Sequence, residues 1–322
     1  MRTEIAQVDP DKPDPLIIER AANLILAGEV VAFPTETVYG VGANALNPTA
    51  VEKIFAAKGR PSFNPLIVHV LDEFSAIQLC TEWPTPAHLL VHAFWPGPLS
   101  IVLPKLDLVP SITTGGLQTV ALRSPSNAVA RELLVATKVP IAAPSANRST
   151  LLSPTTAQHV ASQLDGIVPL VLDAGQTTGG IESTILDLTA EYPRILRPGP
   201  VTPTDIEAVI GVAPELPRGP VEQITAPGMM EVHYAPRTPL RILKPDESPP
   251  PSSGAMLLGK SPCGAQHIQM PNEPVEYARL LYATLHKLDQ AVVPEIVVEF
   301  PPDTPAWSAI RDRLRRASGK QV

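Results

Sequence analysis

The sequence predicts an α/β fold, and three observations carry that expectation. Short apolar runs, such as residues 30–33, 66–70 and 99–103, alternate along the chain with stretches whose apolar residues recur at helical spacing. The loops after those runs are rich in Ser, Thr, Arg and Asn, as strand ends converging on a ligand would require. At 322 residues the chain exceeds the size at which one core grows efficiently, about 250 to 300 residues, so a second domain is expected.

The elements follow in order. After a polar, proline-bearing N-terminus over 1–15, Ile17, Ala21, Leu24 and Ile25 mark a helix over 16–27 that Gly28 stops. A strand at 30–33 follows, and Asn47 with Pro48 opens a helix that ends near Gly59. Next come a strand at 66–70, helices at 72–79 and 86–94, and strands at 99–103 and 120–122. A helix at 127–137, a strand at 141–143, a helix at 155–164, strands at 170–173 and 184–188 and a helix at 202–210 continue the pattern.

From 211 to 239 the periodicity fades while Pro and Gly recur, which reads as a linker carrying Pro227-Gly228-Met229 and His233-Tyr234-Ala235-Pro236. The remainder has strands at 255–258 and 296–298. It also has an amphipathic helix, capped by Asn272, with Val275, Ala278, Leu281, Leu285 and Leu288 on one face. The last helix, bearing Arg311, Arg313, Arg315 and Arg316, reads as a solvated basic face. The boundaries are thus a domain at 14–210, a linker at 211–239 and a second, smaller α/β domain at 240–322.

Composition excludes several classes. An apolar fraction of 44% suffices for a core, and the 39 prolines, concentrated in loops, imply rigid connections. A formal charge of -7 argues against general nucleic-acid binding, which needs a dense basic surface. Cys80 and Cys263 stand far apart without a CxxC partner, so neither a disulfide framework nor a zinc site is expected. No apolar run approaches the length of a membrane span, about 18 residues.

Five polar segments carry the chemistry: Thr35 to Tyr39, Lys58 to His69, Ala121 to Pro125, Ala143 to Asn147 running on to Thr155, and Gly180 to Thr184 with Leu196 to Gly199. Brought together at strand ends, Lys58, Arg60, Arg123 and Arg197 would surround a multiply charged anion, with Ser145, Asn147 and Ser153 bonding to phosphate or sugar. Neither GxxxxGK[ST] nor a helix-opening GxGxxG occurs. Thr35 and Thr37 read equally as turn formers, Ser145 and Asn147 as caps, and His69 as a structural histidine. From the residues alone the cluster is a polyanion site with no named reaction.

Taken together and in order, Pro34-Thr35-Glu36-Thr37-Val38-Tyr39-Gly40, Lys58-Gly59-Arg60-Pro61 with Asn64-Pro65-Leu66, Pro144-Ser145-Ala146-Asn147 and Gly180-Ile181-Glu182-Ser183-Thr184 resemble the YrdC-type threonylcarbamoyl-AMP synthases. The linker motifs and the C-terminal domain are similar to the long, two-domain form of that family. The resemblance implies an open, twisted mixed sheet with a large concave polar cleft, followed by a Rossmann-like domain. It further implies a cytoplasmic nucleotidyltransferase joining L-threonine, bicarbonate and ATP, with magnesium, into threonylcarbamoyl-AMP and pyrophosphate. The product would feed the tRNA threonylcarbamoyltransferase machinery, which modifies tRNA beside the anticodon. An RNA-binding or regulatory module of the same fold is the alternative.

By the same resemblance Thr37, His69, Arg123, Ala143 and Ser183 would hold threonine. Lys58, Arg60, Asn64, Thr119, Ser145, Asn147, Ser153, Arg197 and Tyr234 would hold ATP, with Lys58 and Arg60 catalytic, and His233 and Arg237 would join Tyr234 in a lid. Two places depart from the family pattern: Thr150 stands where glycine is usual, and Met230-Glu231-Val232 replaces basic residues.

Overall fold

A computed structural model describes residues 2–216 and 234–319. The N-terminal domain begins with β1 (Glu4–Gln7), α1 (Pro15–Leu26), β2 (Val31–Pro34), β3 (Tyr39–Asn44), α2 (Pro48–Lys58) and β4 (Ile67–His69). It continues through α3 (Glu73–Ile77), α4 (Thr85–Phe94), β5 (Leu99–Pro104), β6 (Thr119–Arg123), α5 (Ala128–Thr137), β7 (Ile141–Ala142) and α6 (Ala157–Leu164). It closes with β8 (Leu170–Asp173), β9 (Thr184–Asp187), β10 (Arg194–Arg197) and α7 (Pro203–Ile210). The second domain holds β11 (Leu240–Ile242), β12 (Gly254–Leu257), β13 (His267–Gln269), α8 (Pro274–Gln290), β14 (Ile296–Val298) and α9 (Ser308–Ala317).

Local chemistry sets the helix ends. Asp14 accepts from the Leu16 amide and Asn47 from those of Thr49 and Ala50, each just before a proline that needs no amide partner. Gly59 ends α2 at φ 60, a left-handed turn that a side chain resists. The helix expected behind Asn272 is instead capped at Glu273, without a side-chain bond. The expected N-terminal tail is partly ordered, because β1 pairs in parallel with β8 and extends the sheet edge.

The ten described strands of the first domain form one mixed sheet in the order β1-β8-β2-β3-β7-β4-β6-β5-β9-β10. Alternation along β2 directs Ala32 to one face, with α2, α4 and α6, and Val31 and Phe33 to the other, with α1 and α5. Around β4, β6, β5 and β9 that second face carries only the small apolar group Ile67, Val102, Ala121 and Ile185. Uncovered by any described helix, it floors a cleft.

The second domain is a parallel four-stranded sheet, β11-β14-β12-β13, as expected of a Rossmann-like unit. Its core includes Tyr277, Leu281, Leu285 and Leu288 of α8 and Ile310 and Leu314 of α9, together with Val38, Leu152 and Ile181 of the first domain. The domains meet closely at Gly180, where the first carbon of any side chain would lie 2.4 Å from the Ala278 carbonyl oxygen.

Candidate functional site

The cleft, open to solvent and about 510 Å³ with that open space counted, lies between Thr35, Thr37, Arg60, Ile67, His69, Arg123, Ala143, Ser145, Glu182, Arg197 and Tyr234. Sheet register builds its centre: β4 and β6 run parallel with His69 opposite Arg123, and the Gly40–Ser145 bridge brings the Ala143 loop alongside. Gly40 packs close to that loop, its α-carbon facing Ala143 and the Pro144 carbonyl.

Thr35 is a turn former: its hydroxyl donates to the Val38 carbonyl at 2.7 Å and exchanges a bond with Thr37 at 2.8 Å. Thr37 lines the cleft. His69 is buried, yet its Nδ1 has no hydrogen-bond partner among the described residues. Burial first, then the Arg123 charge, lowers its pKa to about 3, so the imidazole is neutral at working pH.

Arg123 donates from Nη2 to Glu36 Oε1 at 2.6 Å and from Nε to the Gly97 carbonyl at 3.3 Å, while Glu36 Oε2 also accepts from the Ser126 amide. Sequence reasoning gives Glu36 no role, because a carboxylate inside a loop motif shows no partner at spacing.

On the other side lie the cations. Lys58 Nζ donates to the carbonyls of Ser145 and Asn147 at 2.5 Å, and Arg60 donates to Asn64 and to the Pro65 carbonyl. Both are buried, and among the described residues neither pairs with a carboxylate. Burial, then the neighbouring Arg60 charge, holds Lys58 well below its ordinary pKa, and burial lowers Arg60 to about 10. Arg197 donates to the Ser183 carbonyl and hydroxyl at 3.0 Å, and Ser183 in turn bonds to Ser100 at 2.9 Å.

Several assignments change. Asn147 spends its amide on the Arg148 and Leu151 carbonyls, and Ser153 donates to Glu182 at 2.6 Å, so both shape the loop that faces the cleft. Thr119 sits at the opposite end of β6 from Arg123, about 13 Å along an extended strand, and does not line the cleft. Arg237 lines a separate groove with Leu151, Gln163, His286 and Asp289. His233 lies outside the described residues, as do Met230, Glu231 and Val232. Thr150 adopts φ 71, the region glycine favours, and its carbonyl accepts from the Ala235 amide at 2.9 Å.

The largest correction concerns α9. Arg313 is 1% exposed rather than solvated, and its Nε donates to Glu182 Oε2 at 2.7 Å. The Tyr282 hydroxyl of α8 donates to the same carboxylate, and the Arg313 guanidinium lies 5.1 Å from the centre of the Tyr234 ring. Burial opposes ionisation of Glu182, but the Arg313 and Arg197 charges and the Ser153 bond prevail, holding it below the carboxylate range. The signal for Arg313 is present in the sequence, since it shares a helical face with Ile310, Leu314 and Ala317.

His69 has a measurable consequence. Its folded pKa, about 3, lies below the ordinary 6.5, so between those limits the unfolded chain takes up a proton that the fold refuses. Stability therefore declines as pH falls from 6.5 toward 3, by roughly 1 kcal/mol per pH unit from this group. Urea midpoints across that window should fall less steeply for His69→Asn than for the parent; equal slopes would remove His69 as a source.

Comparison with known proteins adds three findings. Residues 23–199 match the family model described as "Telomere recombination", and residues 201–319 the one described as "Threonylcarbamoyl-AMP synthase, C-terminal domain". The chain is 40% identical over 322 residues to the threonylcarbamoyl-AMP synthase of Pyrococcus abyssi, covering 95% of each, and 42% identical over 327 residues to that of Bacillus subtilis, covering 95% and 94%. The crystal structure of P. abyssi Sua5 complexed with L-threonine superposes with a TM-score of 0.91 at 39% identity, over 98% of each chain.

Proposed function

The chain belongs to the threonylcarbamoyl-AMP synthase family, and from that premise we propose that it condenses L-threonine, bicarbonate and ATP to threonylcarbamoyl-AMP and pyrophosphate, for tRNA modification beside the anticodon. The carrying observation is the buried cation Arg60, which lines the cleft with no described carboxylate partner, backed by Lys58, whose Nζ holds the carbonyl of the cleft residue Ser145. A buried charge without a counter-charge is unfavourable by several kcal/mol, and a triphosphate supplies the missing one.

On this reading Thr37, His69, Arg123 and Ala143 meet the amino acid, with Ser183 fixing Arg197 beside it. Arg123 offers its Nη1, used by neither Glu36 nor Gly97, to the α-carboxylate. The unpartnered Nδ1 of His69 suits the threonine hydroxyl or amine. Lys58, Arg60, Ser145, Arg197 and Tyr234 face the nucleotide, and Asn64, Asn147 and Ser153 hold those groups in place.

The threonine nitrogen bonds to the bicarbonate carbon as a C–O bond breaks and water leaves, giving a carbamate, whose oxygen then bonds to the α-phosphorus while the bond to the bridging oxygen of pyrophosphate breaks. No covalent nucleophile from the protein is required. Lys58, Arg60 and Arg197 stabilise charge on the departing pyrophosphate, and Tyr234 limits water at a labile mixed anhydride. Magnesium would arrive with the nucleotide. Glu182 in the cleft wall and Glu36 behind Arg123 are both bonded to arginines, so the described residues build no dedicated cage for it.

Purified protein given ATP, L-threonine and bicarbonate should release pyrophosphate only when all three are present. Release at the same rate without threonine would overturn the reading. Lys58→Met should lower turnover by about 100-fold or more, in line with removal of one preorganised transition-state donor. No helix among the described residues is long and apolar enough to cross a membrane, and a cytoplasmic site of action follows from the proposed tRNA pathway.

A further inference from the structure

Away from the cleft, the start of α3 meets the outer face of α4. His88 and His92 stand four residues apart on one helix and project to the same side, where their ring centres lie 4.5 Å apart. Glu73 points between them, with Oε1 2.9 Å from His88 Nδ1 and Oε2 3.6 Å from His92 Nε2. The three ligand atoms all lie within 4.8 Å of one another, the one such group of three among the described residues.

We propose that Glu73, His88 and His92 form a binding site for a borderline divalent transition-metal ion of the zinc type. Zinc binds nitrogen and oxygen at about 2.0–2.2 Å in a tetrahedron, which sets neighbouring ligand atoms about 3.4 Å apart. Each imidazole lies against one oxygen of the Glu73 carboxylate, at 2.9 and 3.6 Å, and one ligand atom from each residue falls within 4.8 Å of the others, so small side-chain rotations bring the three to that spacing. Two imidazoles and a carboxylate, with no thiolate, select zinc, cobalt or nickel over calcium, magnesium or copper(I).

The arrangement also has an outer support. The Trp83 indole donates to Glu73 Oε1 at 2.7 Å, fixing the carboxylate from behind as second partners do in metal sites. An open groove lined by Glu73, His92, Trp95, Ser124 and Arg131 gives the ion a path in and room for water at the fourth position. The rings themselves are more than half exposed, so as an ion pair with Glu73 they would contribute little. A bound ion would join α3 to α4 without touching the cleft.

The test uses the full chain, free of any affinity tag and stripped with EDTA. Titration with Co2+ should give one equivalent of binding with a tetrahedral absorption band, displaced by one equivalent of Zn2+. His88→Ala/His92→Ala and, separately, Glu73→Gln should each weaken Zn2+ binding about 10- to 100-fold. Zn2+ should raise the melting temperature of the parent but not of the double variant. Both variants alter side chains outside the cleft and should keep the parent's threonine and ATP KM values. Absence of saturable binding near one equivalent, or equal binding by the parent and the double variant, would overturn the proposal.

Discussion

Arg123→Ala should raise the KM for L-threonine about 10- to 150-fold, the loss of one charge-assisted hydrogen bond, while the KM for ATP changes by less than about 3-fold. The direction follows from register. Strand pairing sets Arg123 beside His69, and Arg123 shares no hydrogen bond with Lys58 or its Ser145 and Asn147 acceptors among the described residues. A complication is that Arg123 also holds Glu36. Its loss leaves that carboxylate with the Ser126 amide alone and lowers stability as well. Glu36→Gln/Arg123→Ala separates the two effects, because it should recover stability but not threonine affinity. Equal rises in both KM values would assign Arg123 to the nucleotide or to the fold.

Arg313→Met carries the other large effect. Removing one partner of a buried ion pair destabilises by about 3–5 kcal/mol, which here should lower the melting temperature by about 10 °C. Glu182 would remain in the cleft wall with Ser153 and Tyr282 but without its closest cation. Its charge, then met by Arg197 alone, lies beside the groups that face ATP, so ATP binding should weaken more than threonine binding does. The double variant Glu182→Gln/Arg313→Met should recover much of the lost stability, since the charge itself is gone. If Arg313→Met melts like the parent, the pair is not the tether the geometry describes.

Much of this is legible in the sequence. The helix signals at Asn47-Pro48 and Gly59 and the apolar runs at β4, β5 and β14 are local, so the structure repeats them within a residue or two. β1, β3, β10, β11 and β13 escape sequence reasoning, being stabilised by neighbours in the sheet rather than by their own pattern. At the site, Thr37, His69, Arg123 and the loop cations can be named because they sit in ordered motifs.

Glu36 as the partner of Arg123, and Glu182 as the meeting point of Ser153, Tyr282 and Arg313, cannot be named that way. The Glu36–Arg123 and Glu182–Arg313 pairs span 87 and 131 residues of chain, and no spacing rule reaches that far. Charge counting also misleads at α9, where four arginines suggest a wet face and one of them is among the most buried side chains. Helical arithmetic with Ile310 and Leu314 is the better guide.

Gly180 has a consequence in heredity. Any codon change there that alters the amino acid introduces at least one carbon, and that carbon meets the backbone of α8 at Ala278 and Arg279, which cannot swing aside as a side chain could. Such alleles would leave every other cleft motif spelled correctly and still pry the two domains apart. A missense lesion at the domain junction would then present as loss of the enzyme, most visibly at elevated temperature.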